Sequence, residues 1–100
     1  MAHYNKLVRD KIPEILDAKG VPYEKRIASL AEYKDELVKK LLEEAQEFAE
    51  AGAPEELADV LEVIAALRTL PDYENVEAIQ VQKRAERGGF EERIILSGEK

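Results

Sequence analysis

The sequence predicts an all-α fold, a bundle of about four helices in one domain. Apolar residues recur at helical spacing along most of the chain, each such stretch is bracketed by start and stop residues, and the stretches are separated by glycine or proline. At 100 residues the chain is one domain, residues 1–100, with a core small enough that association with further copies would improve burial.

The elements follow in order. Asp10 is placed to cap a short helix in which Pro13 occupies the first turn, Ile12, Ile15 and Leu16 form the apolar side and Gly20 marks the end. Residues 21–28 have no helical period and read as extended, as do residues 90–96, so the two segments are candidates for a small two-stranded pairing. Ser29-Leu30-Ala31-Glu32 is a capping box opening a long helix, with Leu37, Leu41, Ala45 and Phe48 on its apolar side and Gly52 as its stop. Pro54 suits the first turn of the next helix, which carries Leu57, Val60, Leu61, Ile64 and Leu67 as far as Leu70. Pro71 breaks it and Asp72 is placed to cap a last helix, Tyr73 to Arg87, with a thin apolar face at Val76 and Ile79 and a double-glycine stop at Gly88-Gly89.

The connection through Gly52 is so short that the two central helices must be antiparallel neighbours. Residues equally far from the turn lie at similar heights, which sets Glu47 level with Glu56 and Glu44 level with Asp59. A wheel at about 100° per residue puts Glu44 and Glu56 inside the apolar arcs, with Glu47 and Asp59 at their edges. An unpaired carboxylate on a core-facing stripe costs several kcal/mol or neutralises, so four together call for cations. Oxygen ligands with no cysteine and one distant histidine favour Mg²⁺ or Mn²⁺ over zinc. Glutamate is so frequent here that a solvated helix face is the plain alternative for the first string. The matched second pair and the inward placement favour a metal site.

Composition narrows the classes. A net charge of −7 argues against broad contact with nucleic acid phosphates. The absence of cysteine leaves no disulfide framework; no signal-like apolar run or membrane-length segment is present, and the expectation is a cytoplasmic protein without membrane contact. Basic groups gather at both ends, Lys6, Arg9 and Lys11 first and Lys83, Arg84 and Arg87 later. Singly each is an ordinary surface cation or a helix-terminal charge; beside a metal site they become candidate phosphate ligands.

These residues resemble a known group. Glu43, Glu44 and Glu47 followed by Glu56 and Asp59 match EExxE and ExxD, the shared mark of the all-α nucleoside triphosphate pyrophosphohydrolases, which include MazG-like proteins, dimeric dUTPases and phosphoribosyl-ATP pyrophosphohydrolase. Tyr4-Asn5-Lys6-Leu7-Val8-Arg9-Asp10-Lys11-Ile12-Pro13 and the stretch from Lys83 through Arg87-Gly88-Gly89-Phe90 look like the ends of a compact, MazG-related house-cleaning group. The resemblance thus covers nearly the whole chain. One departure is that only eight residues separate Glu47 from Glu56, shorter than in many MazG proteins, so substrate preference does not transfer closely.

The resemblance implies a MazG-like helical bundle that hydrolyses a nucleoside triphosphate to a monophosphate and pyrophosphate. It makes Glu44, Glu47, Glu56 and Asp59 the Mg²⁺ ligands, and Glu43 an outer group that orients or deprotonates the nucleophile. Lys6, Arg9, Lys83 and Arg87 would hold phosphates, and Tyr4, Asn5, Tyr33 and Phe90 are candidates for the base and sugar. His3 reads as a surface residue without catalytic duty. The resemblance also implies a homodimer or higher homo-oligomer, with sites that can combine groups from two subunits. Phosphoribosyl-ATP pyrophosphohydrolase ranks second, because the chain ends fit the house-cleaning group better. A non-catalytic acidic interaction module is the rival from another class. A Ca²⁺ sensor is disfavoured because the twelve-residue EF-hand loop is missing.

Overall fold

A computed structural model describes residues 5–99. The fold is all-α: α1 (Ile12–Lys19), α2 (Leu30–Ala51), α3 (Pro54–Arg68), a 3₁₀ turn (Pro71–Tyr73) and α4 (Val76–Arg87). The central feature is the antiparallel hairpin of α2 and α3.

Local chemistry accounts for its ends. Ser29 Oγ accepts from the Glu32 amide at 3.2 Å, satisfying one of the free amides of the first turn. The reciprocal half of the capping box is not made, because the Glu32 carboxylate instead binds both guanidinium nitrogens of Arg26, at 2.5 and 2.7 Å. Gly52, at φ 67°, takes the left-handed conformation that ends α2, and its amide donates to the Phe48 carbonyl at 2.7 Å. Two residues later Pro54 starts α3, so the reversal is as tight as the sequence implies.

The open end of the hairpin is tied as well. Lys34, near the start of α2, pairs with Asp72 and lies 5.4 Å from the centre of the Tyr73 ring, and Leu70 is buried beside this link at 6% exposure. Asp72 thereby serves as an ion-pair partner and not as the helix cap expected of it. The last helix starts at Val76, later than the expected Tyr73, because Pro71–Tyr73 forms a separate 3₁₀ turn. Likewise α3 ends at Arg68, before Leu70, with Thr69 Oγ1 donating to the Ala66 carbonyl at 2.7 Å. In α1 the position before the first turn belongs to Lys11, not Asp10, and no side chain caps it.

The two-stranded pairing does not form: residues 21–28 and 90–96 are irregular. Arg93 sits at φ 58°, outside the extended region, which interrupts the second segment. Local ion pairs also hold each segment to its own helix, Arg26 to Glu32 and Arg84 to Glu91. Both segments carry charge in their middles, and a lone pair of short strands has little independent stability.

Packing outside the hairpin is thin. Among the described residues only Leu37, at 3% exposure, and Leu70 count as buried. The exposed helix α4 is linked to α3 by Arg68 to Glu77 at 2.5 Å. The radius of gyration is 18.0 Å, against about 13 Å for a compact domain of this length.

Candidate metal and phosphate site

The α2–α3 hairpin places the acids. Glu44 and Glu56 both turn inward, and the Oε2 atom of each is buried without a hydrogen-bond partner. The Glu44 side chain is 13% exposed. Burial raises its pKa above the ordinary carboxylate value, with the negative charge of Glu47 next in size; Lys40 opposes the shift and the charge of Asp59 adds to it. Glu56 and Asp59 are half-buried, whereas Glu43 and Glu47 are exposed.

Cations already lie among these acids. Arg9, from the segment before α1, donates to Asp59 Oδ1 at 2.7 Å and stands 3.8 Å from Glu62. Lys40 lies 3.7 Å from both Glu43 and Glu44. Neither Lys40 nor Glu62 stands among the residues singled out by motif. Helical spacing could have found both, since Lys40 precedes Glu43 and Glu44 by three and four residues and Glu62 follows Asp59 by three.

In this arrangement no three of the acidic or histidine side chains among the described residues are drawn together closely enough to hold a metal ion. The carboxylates are instead shared out, Asp59 to Arg9 and Glu44 to Lys40. The donor chemistry nonetheless fits a hard cation. Two buried carboxylate oxygens without donors, on facing helices, are acceptors in want of a positive charge, and the surrounding set is oxygen-only. Of the four expected ligands, the inward orphaned oxygens belong to Glu44 and Glu56, Asp59 is half-buried and held by Arg9, and Glu47 is exposed.

Of the expected phosphate ligands, Arg9 alone is ion-paired to these acids among the described residues. Lys6 is exposed on the approach to α1. Lys83 and Arg87 are exposed on α4, and neither has an ion pair to the acids. Tyr33 is half-buried on α2, Asn5 is exposed and Phe90 is 97% exposed, so the structure does not gather them into one base pocket. Tyr4 and His3 lie outside the described residues.

No protein-family model, curated protein or solved structure matches the chain. Among the described residues, no helix is long and apolar enough to cross a membrane.

Proposed function

We propose that the chain is a Mg²⁺-dependent nucleoside triphosphate pyrophosphohydrolase, in which water adds at the α phosphate and the α–β bridging bond breaks. The products are a nucleoside monophosphate and pyrophosphate, and the role is clearance of non-canonical nucleotides. The observation that carries the reading is the pair of inward, unpartnered carboxylate oxygens of Glu44 and Glu56 on the two arms of one hairpin. Carboxylates held in that way serve as ligands far better than as packing.

Glu44, Glu47, Glu56 and Asp59 would hold Mg²⁺, with Mn²⁺ as the substitute. The ion would neutralise phosphate charge and acidify the attacking water. Glu43, exposed beside Glu44, would be an outer group that orients or deprotonates that water. Arg9 would exchange Asp59 for a phosphate oxygen, a planar guanidinium being suited to either partner. Lys6, Lys83 and Arg87 would supply further positive charge to the phosphates. The assembly is proposed to be a homodimer or higher homo-oligomer working in the cytoplasm, without nucleic acid.

The test is pyrophosphate release from canonical and modified nucleoside triphosphates and from phosphoribosyl-ATP, with Mg²⁺, with Mn²⁺ and with chelator, using Glu44→Ala as control. Metal-dependent release from triphosphates that the variant lacks is expected. Preference for phosphoribosyl-ATP would move the reading to histidine biosynthesis. No release by folded, metal-loaded protein would leave the acidic face as an interaction surface.

A further inference from the structure

Among the described residues, Arg9 is the one member of the segment 5–20 whose side chain is hydrogen-bonded or ion-paired to the α2–α3 hairpin. It stands just before α1, at the turn where its carbonyl accepts from the Ile12 amide at 3.1 Å. One guanidinium nitrogen donates to Asp59 Oδ1 at 2.7 Å and the other lies 3.8 Å from Glu62, so the planar group spans two acids one turn apart on α3. Because α1 itself has no buried residue, this bond is the main polar tether of the N-terminal arm.

The tether falls on a carboxylate that is wanted twice. While Arg9 holds Asp59, no three acids among the described residues converge, and Glu44 and Glu56 each keep a buried Oε2 without a donor. A guanidinium and a divalent ion on one carboxylate repel each other at a few Å, so one displaces the other. The tether is open to solvent, with the Arg9 side chain 56% exposed and that of Asp59 45%, and a competing anion can reach it. A polyphosphate offers the guanidinium the same paired oxygens with more charge than one carboxylate carries. Lys40 differs: it lies 3.7 Å from acids of its own helix and its side chain is only 20% exposed, so an anion reaches it less readily.

We propose that Arg9 is a latch on the acidic site: bound to Asp59 it keeps a divalent ion out, and a phosphate chain that draws Arg9 away opens Asp59 to the ion. The inference rests on the metal-site reading above and adds a rule of occupancy to it. Without a phosphate chain the protein carries its own cation and holds metal weakly. Metal and polyphosphate then reinforce one another, each freeing a group the other needs, since coupling between two ligands is reciprocal. An exposed ion pair limits this effect to about fivefold in affinity.

The test is calorimetric titration of the metal-stripped chain with Mg²⁺ or Mn²⁺ alone, which involves no turnover. Arg9→Ala should bind the ion about two- to fivefold more tightly than the unmodified chain, and Arg9→Lys should fall between. Lys11→Ala, which removes an equal charge from a neighbouring exposed residue, should leave the affinity unchanged. Equal or weaker binding by Arg9→Ala, or an equal gain in Lys11→Ala, overturns the latch and leaves the metal site standing. No ion bound by the unmodified chain or by Arg9→Ala overturns both. Should Arg9→Ala lose its far-ultraviolet helicity, the unmodified chain decides. Mg²⁺ alone, and inorganic tripolyphosphate with chelator, should each shift the Arg9 guanidinium resonances in the NMR spectrum, and resonances that stay in place under either overturn the proposal.

Discussion

Replacing Glu44 by methionine should stabilise the protein while removing its proposed activity. The carboxylate is 13% exposed and its Oε2 atom has no donor. An unsatisfied buried acceptor costs about 1–3 kcal/mol. Attraction to Lys40 at 3.7 Å offsets part of that, and repulsion from Glu47 and Asp59 adds to it. Methionine fills similar space without charge, and Lys40 keeps Glu43 at 3.7 Å. The net gain should be about 1–2 kcal/mol, and each kcal/mol raises Tm by roughly 4–8 °C in a domain of this size. The pH dependence follows from the raised pKa of Glu44. Its charge is a penalty fully present above the folded-state pKa, diminishing as pH falls through that value and absent below the ordinary carboxylate range. Thermal melts from pH 8 down through the ordinary carboxylate range, with chelator, should therefore show the variant's advantage shrinking toward acid. Added Mg²⁺ should raise the Tm of the unmodified chain and leave the variant unmoved. A variant less stable than the parent at pH 8, or an advantage that grows toward acid, would refute the reasoning.

Leu37→Ala removes the more deeply buried of the two core residues. Because its neighbours are half-exposed and can close in, the loss should fall in the lower part of the usual range, about 2–3 kcal/mol, read from urea midpoints at unchanged slope. Arg9→Ala breaks an ion pair whose members are both about half exposed, so stability should change by less than about 1 kcal/mol. It should nevertheless raise KM for the nucleotide, and a large fall in Tm with KM unchanged would make Arg9 a purely structural tether.

Much of the hairpin was legible because its signals are local. Ser29, Gly52 and Pro54 fix chain conformation through their own chemistry, and the wheel that set Glu44 and Glu56 inward needs only the helical period and the hairpin register. The last helix was misjudged at its start because a 3₁₀ turn and an α-helical turn present the same Pro-Asp-Tyr signal, and the choice depends on Lys34, nearly forty residues earlier, reaching Asp72. The failed strand pairing has the same origin. Residues 21–28 and 90–96 have extended character, but Arg26 and Arg84 find acids nearby before the segments find each other. The contact of Arg9 with Asp59 spans fifty positions, and no periodicity encodes it. A motif could name Arg9 as a phosphate ligand, yet only three dimensions place it on Asp59, an acid proposed above as a metal ligand.

That contest bears on how so slight a fold can carry buried carboxylates at all. Two buried leucines supply little stability, and Glu44 and Glu56 each keep an oxygen from water without a donor in return. Native domains hold only about 5–15 kcal/mol in reserve, so a few kcal/mol of strain at the acids requires support from elsewhere. Arg9 and Lys40 provide some of it as counter-charges, and they do so where a divalent ion would do better. Covering the remaining exposure of Leu42, 69%, and Leu61, 60%, would add only about 1–2 kcal/mol each, on the order of one orphaned oxygen. Because mutational free energies add unless the sites interact, any excess gain from Glu44→Met when Leu42 and Leu61 are replaced reports coupling between these residues and not the size of the reserve. Comparing the melting shift caused by Glu44→Met in the unmodified background with that in the Leu42→Glu, Leu61→Glu background measures this coupling directly. Equal shifts in the two backgrounds would mean that Glu44 and the two leucines are energetically independent.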